Sequence, residues 1–312
     1  MNPHLSKPSY PCEPITSIPK LALALGVSEQ VLIGLSSKAS QMYREVLIIK
    51  GQKTRVTFDA IGQLKVIQRK IKNQIFQKVK FPDYLHGSLR GRDYVTNALL
   101  HVNKKLVICE DVENFFPSVK IQLIVDVWER FFHFSNEVAV LLSLLTTKNG
   151  ELPQGASTSS YLANLVMWHY EPGVQAKLAG MGITYSRYVD DMVMSSTKYL
   201  SEECQSKAIA IIYAMLKIHG LKASRKKHEV YSSSKKMMVT KLLVNRKPSL
   251  GRDKRLLIRS EVHHAVKKIQ ALGAEHPESA VILNKVSQRV GQLGRFHPSM
   301  ARKLKIKINS VR

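Results

Sequence analysis

Three carboxylates stand where chemistry could be done: Asp111, and the adjacent pair Asp190 and Asp191. Asp111 follows the apolar, β-branched run Leu106-Val107-Ile108-Cys109 and Glu110. That pattern predicts a buried strand delivering a carboxylate at its C-terminal end. Asp190 and Asp191 lie between two further strand-like runs, Gly182 to Val189 and Met192 to Ser195, and so at a hairpin tip. Carboxylates crowded together repel one another and resist burial. A divalent cation removes both costs. Mg²⁺ takes hard oxygen ligands, typically one or two carboxylates plus substrate phosphates. Two such ions about 4 Å apart can activate a hydroxyl and stabilise a leaving pyrophosphate. Each feature also has a plain structural account: Asp-Asp is a common turn dipeptide, and Asp111 could cap a following helix.

The rest of the composition favours the chemical account. The chain has 48 Lys and Arg against 23 Asp and Glu, a formal net charge of +25. Self-repulsion of that size is tolerated when the partner is a polyanion, and nucleic acid is the leading one. A membrane surface is a poorer fit, because no Lys-rich amphipathic helix carries a Trp or Phe face. No stretch approaches the roughly 18 to 20 apolar residues of a membrane span. Residues 1–19 lack an apolar signal core, so a cytoplasmic protein is expected. Cys12, Cys109 and Cys204 are few and far apart, which suggests neither a disulfide framework nor a zinc site.

The elements that must position the carboxylates can be read in outline. At 312 residues the chain can bury one or two cores. Residues 18–47 have helical spacing around a Ser28 cap. Residues 45–58 alternate as two strands about a turn at Gly51 and Gln52. Helical patterns follow at 62–80, 92–103, 119–147, 157–170 and 201–219, two more strand runs lie within 227–245, and 256 to the end is helical and basic. Strands interrupted by helices, without a repeating βαβ unit, predict an α+β fold with helices packed on one face of an antiparallel sheet.

Around the carboxylates the sequence resembles a known family. Tyr188-Val189-Asp190-Asp191 matches the tetrapeptide of reverse transcriptases. Asp111-Val112-Glu113-Asn114-Phe115-Phe116-Pro117-Ser118 resembles the preceding palm motif, and Leu152-Pro153-Gln154-Gly155-Ala156-Ser157-Thr158-Ser159 the motif between them. Lys53, Arg55, Leu64-Lys65 and Gln68 resemble the first fingers motif, and His86-Gly87 with Arg90-Gly91-Arg92 the second. Asn97-Ala98-Leu99-Leu100-His101 is similar to the NAxxH signature of retron reverse transcriptases, the bacterial enzymes that make multicopy single-stranded DNA (msDNA). Two positions depart from that family. Val239-Thr240-Lys241 stands where Val-Thr-Gly is usual, and Ser224-Arg225-Lys226-Lys227-His228 keeps only the lysine of Asn-x-x-Lys-Thr. The resemblance spans about residues 40–300.

The resemblance implies a right-hand polymerase fold with fingers, palm and a helical C-terminal thumb. The expected division is an N-terminal helical extension at 1–44, interleaved fingers and palm at 45–244 with the palm core at about 104–120 and 152–244, and a basic thumb at 245–312. Asp111 and Asp190 would hold two Mg²⁺ ions, with Asp191 as ligand or neighbour and the Val112 carbonyl added. Phe116 would stack under the incoming sugar and exclude a 2′-hydroxyl, while Phe115 joins the core. Gln154 and Gly155 would approach the incoming dNTP. Lys53 and Arg55 would contact its triphosphate, although a solvated charged hairpin fits them equally well. Lys227 would assist pyrophosphate departure, or be one of three basic surface residues. Asn97 and His101, four apart on a helix, share one face and would serve structure or RNA contact. The neighbouring pair His263-His264 does not share a face, which argues against a zinc site.

Most of the excess charge is C-terminal: residues 225–312 carry 22 Lys and Arg against 5 Asp and Glu. Arg252, Lys254, Arg255 and Arg259 are interleaved with apolar residues at helical spacing, as are Lys267, Lys268, Arg289 and Arg295. Such a surface suits phosphate contacts and structured RNA. The family implies a cognate noncoding RNA, its msDNA product primed from a guanosine 2′-hydroxyl, and a role in anti-phage defence with a separate effector protein. Two other readings stand beside it. One is a different bacterial reverse transcriptase, group II intron-like or diversity-generating. The other is a non-catalytic RNA-binding scaffold, against which the intact Asp111, Asp190 and Asp191 argue.

Overall fold

The run that ends in Asp111 is an inner strand of a four-stranded antiparallel sheet. The structure, a computed structural model, describes residues 6–50 and 53–311, with backbone only for Lys50 and Lys53. The expected turn at Gly51 and Gln52 lies outside the described residues.

The chain opens with helices α1 (Ile18–Leu25) and α2 (Glu29–Ser36). Ser28 caps α2 by accepting from the Val31 N–H at 3.4 Å. Strands β1 (Tyr43–Lys50) and β2 (Lys53–Ala60) form the fingers hairpin, which begins two residues earlier than the alternation suggested. Helix α3 (Gly62–Gln74) carries the basic stretch, and the short α4 (Tyr94–Leu99) carries the NAxxH signature.

Next come β3 (Leu106–Asp111), α5 (Phe115–Ser118), α6 (Ile121–Asp126) and α7 (Asn136–Thr146). The helix expected over 119–147 is therefore broken. A π-turn at Val127–Phe131 and a positive φ of 57° at His133 interrupt it, where Trp128, Phe131, Phe132 and Phe134 crowd together. Helix α8 (Ser159–Leu165) is shorter than its pattern, and α9 (Glu171–Gly180) follows it. The sequence hid α9 behind Pro172, Gly173 and Gly180. A proline in the first turn is tolerated, because its missing N–H has no intrahelical partner there.

Strands β4 (Ile183–Tyr188) and β5 (Asp191–Ser196) form the second hairpin, followed by α10 (Glu202–Ile218), β6 (Glu229–Ser232), and the small hairpin of β7 (Met238–Val239) and β8 (Leu242–Leu243). Helices α11 (Arg252–Leu272), α12 (Pro277–Gly294) and α13 (Pro298–Asn309) complete the described chain. Among the described residues no single helix is long and apolar enough to cross a membrane.

The sheet order is β4-β5-β3-β6. Both of its faces are covered, not one. Leu106 and Ile108 of β3 point into the main core, while Val107 of β3 and Val193 of β5 join a second core with Ala98 of α4 and Ile258, Val290 and Leu293 of the C-terminal helices. On α11 the buried residues Ile258, Val262, Ala265 and Ile269 recur every three or four positions, as an amphipathic helix requires.

Candidate active site

Asp111 and Asp191 are directly opposite each other in the β3–β5 register. Tyr188 pairs with Asp191, which leaves Val189 and Asp190 as a two-residue loop. Val189 has φ of 60°, a costly conformation for a β-branched residue. The Val112 N–H donates to the Asp190 carbonyl at 3.1 Å, which ties the loop to the end of β3. Burial, followed by the charges of Asp190 and Asp111, pushes the Asp191 carboxyl up to about 7. Asp190 is also raised, chiefly by burial, while Lys227 and Arg55 oppose the shift. A hydrogen bond to Asp111 further holds the proton on Asp191. A carboxylate set that retains a proton against its own repulsion suits a divalent cation. Among the described residues no three acidic, His or Cys side chains close a metal site alone. That is compatible with Mg²⁺, which completes its shell with substrate phosphates and water.

The strained loop is held from behind. Arg187 is fully buried and forms a two-pronged ion pair with Glu171 at the start of α9, Nε to Oε1 at 2.6 Å and Nη2 to Oε2 at 2.7 Å. Its remaining donors reach the carbonyls of Val189, Ala163 and Asn164 at 3.0, 3.2 and 3.0 Å. All five N–H groups are thus satisfied, as burial of a guanidinium demands. Leu85 bridges Arg187 in parallel, and the next residues carry the chain to Gly87 beneath the loop. A Cβ at Gly87 would lie 2.2 Å from Val189 Cγ2 and 2.6 Å from its nitrogen. No local sequence pattern signals this clamp.

The NAxxH residues support the same hairpin. His101 Nδ1 lies 2.7 Å from Ser195 Oγ, its Nε2 lies 2.7 Å from Ser186 Oγ, and Ser186 donates to Asn97 Oδ1 at 2.7 Å. That chain of donors is self-consistent with a proton on Nε2. Burial holds the His101 imidazole down to about 3, so it is neutral. Asn97 and His101 are both 0% exposed. Their expected alternative role in RNA contact is therefore corrected: they strap α4 to β4 and β5.

Two clefts flank the carboxylates. The first, about 490 Å³, is lined by Arg55, Val112, Phe116, Gln154, Asp190 and Lys227, residues that the sequence nominated. Phe115 is buried, and Phe116 sits edge-on to it with ring centroids 5.9 Å apart, half-exposed towards the cleft. The side chain of Lys53 lies outside the described residues. Gly155 is not in the lining. A Cβ there would come within 3.1 Å of the Phe58 carbonyl, and its φ is 117°. The glycine thus lets the Gln154 loop abut the β2 strand, where the Phe58 N–H donates to the Gln154 carbonyl at 2.8 Å. Lys148 also lines this cleft, resting 4.7 Å from the Phe58 ring centroid, and was not foreseen.

Lys227 reaches Asp111 Oδ1 at 2.6 Å. The backbone brings it there, since the Ser224 N–H donates to the Asp111 carbonyl at 2.7 Å. His228, where the family has Thr, contacts the buried Glu110 at 2.7 Å. The second cleft, about 400 Å³, lies against Asp111 and Asp191 and is walled by Lys226, Tyr231 and Lys241, with Lys227 shared between the two clefts.

The comparisons with known proteins agree with this geometry. Residues 50–275 match the family described as reverse transcriptase (RNA-dependent DNA polymerase). The Retron Se72 reverse transcriptase of Salmonella heidelberg is 34% identical over 98% of this chain and 82% of its own length. The chain belongs to the retron-type reverse transcriptases. Two Escherichia coli relatives are similar to it as well. The Retron Ec48 reverse transcriptase is 30% identical over 90% of this chain and 72% of its own length, and the Retron Ec86 reverse transcriptase 26% identical over 78% and 76%. The enzyme is thus an RNA-directed DNA polymerase on an α+β right-hand fold.

In this reverse transcriptase the basic thumb residues divide into two groups. Arg252, Arg259 and Lys267 on α11 are exposed. Lys268 pairs with Glu278 at 3.0 Å, Arg289 with Glu261 at 3.2 Å, and Arg295 with Asp93, the N-cap of α4, at 2.5 Å, lying over the Tyr94 ring. Arg255 is half-buried, and Lys254 is engaged with a neighbour.

Proposed function

We propose that this enzyme copies a cognate structured noncoding RNA into msDNA, starting from a guanosine 2′-hydroxyl, in an anti-phage system with a separate effector protein. The observation that carries the catalytic part is the facing of Asp111 and Asp191 in register, with Asp190 and Lys227 opening onto the cleft beside them. In this reading the first cleft takes the dNTP and the second takes the end of the priming strand. Two Mg²⁺ ions, held by Asp111, Asp190, Asp191 and the Val112 carbonyl, would supply hydroxyl activation and charge neutralisation. Arg55 offers the triphosphate a planar fork of donors. Lys227 exchanges the Asp111 carboxylate for a phosphate oxygen and steadies the leaving pyrophosphate. Gln154 and Phe116 frame the base and sugar. Residues 1–44 form an extension, 45–244 the fingers and palm, and 245–312 the thumb.

Phe116→Ala is expected to admit ribonucleotides, lowering discrimination against them roughly tenfold or more. Paired single-nucleotide incorporation rates for a dNTP and its rNTP measure this; unchanged discrimination removes Phe116 as the gate. Replacing Arg252, Arg259 and Lys267 together by Gln is expected to weaken RNA binding and reduce the salt slope of log K by roughly 2. An unaltered slope would locate the RNA elsewhere. The retron product itself is tested by purifying the enzyme from its host and sequencing the nucleic acid that accompanies it. A branched RNA–DNA molecule joined at a guanosine 2′-oxygen is expected. Linear RNA alone would overturn the priming assignment.

A further inference from the structure

We propose that the base of the palm, at the end of the sheet away from the carboxylates, binds a single strand of nucleic acid that continues beyond the duplex in the catalytic cleft. The inference rests on the placing of synthesis at the Asp111 end. Four loops meet at this base: residues 103–105 before β3, 197–201 after β5, 233–237 after β6 and 244–250 after β8. They hold seven Lys and Arg and no Asp or Glu. The whole chain carries 48 against 23, so its cations ordinarily come with carboxylates among them. Hydrogen bonds draw the four loops together. The Lys105 N–H donates to the Ser196 carbonyl at 2.8 Å, the Ser233 N–H to the Lys105 carbonyl at 2.9 Å, and the Asn103 N–H to the Val244 carbonyl at 3.2 Å. Asn245 joins the last two loops, accepting from the Met237 N–H at 3.0 Å and donating to the Lys235 carbonyl at 2.8 Å.

The side chains say what this base holds. Lys104 is half-buried and donates to Thr184 Oγ1 at 3.0 Å. The other six, Lys105, Lys198, Lys235, Lys236, Arg246 and Lys247, are exposed. Among the described residues the side chains of Lys198, Lys235, Lys236 and Arg246 have no hydrogen-bond or ion-pair partner. The thumb cations Lys268, Arg289 and Arg295 each have a carboxylate. Cations crowded without one repel each other, and a row of phosphates relieves that repulsion. Tyr199 separates nucleic acid from other polyanions. Its ring is 64% exposed. It is nonetheless held, with its hydroxyl 2.9 Å from Ser233 Oγ and Lys105 Nζ over the ring, 5.9 Å from the centroid. An exposed aromatic fixed among cations is a platform on which a base of any sequence can stack. Leu106 at this end pairs with Ser196 and Ser232, and Asp111 at the other end pairs with Asp191. The length of β3 therefore separates the patch from the carboxylates, roughly 17 Å at about 3.3 Å per residue. A strand held here lies outside the reacting duplex and leaves the chemistry untouched. Arg246 and Lys247 lead into α11, so the same strand can pass on to the exposed cations of the thumb.

The test uses the whole enzyme and a short blunt RNA–DNA hybrid, either bare or with a single-stranded uridine arm continuing its RNA strand or a deoxyuridine arm continuing its DNA strand. The natural enzyme should bind an armed hybrid more tightly than the blunt one, and the arm that gains identifies the strand. Lys198→Gln, Lys235→Gln and Lys236→Gln combined should remove that gain and lower the slope of log K against log salt by roughly 2. Tyr199→Ala should weaken the armed hybrid roughly fivefold or more, and Tyr199→Phe should restore it. Every variant should bind and extend the blunt hybrid at the natural rate, which also shows that it folds. With iodouridine in the arm, irradiation should cross-link the arm to the peptide that contains Tyr199. The proposal is overturned if neither arm adds affinity, or if Tyr199→Phe and the charge variant bind the armed hybrid as the natural enzyme does and no cross-link forms. It is equally overturned if the charge variant loses polyglutamate as it loses the arm while Tyr199→Ala loses neither, because the patch would then suit an acidic protein. Extension of the blunt hybrid by a variant lacking Asp190 and Asp191 would instead undo the placing of synthesis at Asp111, and with it the claim that the patch lies outside the duplex.

Discussion

Asp190→Asn combined with Asp191→Asn is expected to yield a protein that folds, binds RNA and makes no DNA. The charge stabilisation that a carboxylate-held metal supplies is worth several kcal/mol, so primer extension should fall roughly 10³-fold or more. Retained synthesis would refute the metal assignment. The same variant should be more stable than the natural enzyme at alkaline pH without metal. The Asp191 carboxyl is held up to about 7 from 3.8, first by burial and then by Asp190 and Asp111. A carboxyl whose folded pKa is raised binds its proton more tightly in the folded state. Its stabilising contribution is therefore complete below about pH 4 and is lost as pH rises to about 7. At pH 8 the ionised Asp191 opposes folding, and Asn removes that opposition. Melting curves at pH 4 and pH 8 with a chelator should show the variant's advantage only at the higher pH. An equal or lower melting temperature at pH 8 would mean that the carboxylates are not crowded.

Gly87→Ala should be nearly as damaging, although Gly87 touches no substrate in this reading. The added methyl cannot fit 2.2 Å from Val189 Cγ2 and 2.6 Å from the Val189 nitrogen, so the loop that bears Asp190 must shift. Overpacking of this kind costs typically 1–3 kcal/mol of stability. A displacement of about 1 Å at a reacting group can cost roughly 10²-fold in rate. Single-turnover extension should fall by about that factor while RNA affinity holds. A natural rate in Gly87→Ala would show that the loop position tolerates movement and that the clamp around Arg187 has no bearing on catalysis.

What the sequence revealed, and what it concealed, follows from the range of the interactions. The strand ending in Asp111 and the hairpin around Asp190 were legible because β-branched runs and turn residues are local signals. Phe115 is buried and Phe116 half-exposed, yet both reach the first cleft, a closeness that chain order alone does not reveal. The Arg187 clamp was not legible. Glu171 lies 16 residues upstream on a helix whose own signal Pro172 and Gly173 disguised, and no periodicity links the two. At Gly155 the backbone the glycine accommodates is Phe58, almost a hundred residues earlier, a contact that no local pattern signals. Asn97 and His101 illustrate the same limit. Helical spacing shows that they share a face, but only the fold shows that the face meets Ser186 and Ser195.

That buried network has a consequence for how such enzymes diverge. Asn97 and His101 meet only other parts of the protein, and they brace a hairpin that every template must use. The residues exposed on the thumb, Arg252, Arg259 and Lys267 among them, lie on a separate helix. On the proposed reading, in which these exposed thumb residues contact the RNA, a lineage can exchange one cognate RNA for another by altering thumb surface positions while the NAxxH signature is inherited intact. The signature marks a braced palm, and on that reading the identity of the RNA is written elsewhere in the chain.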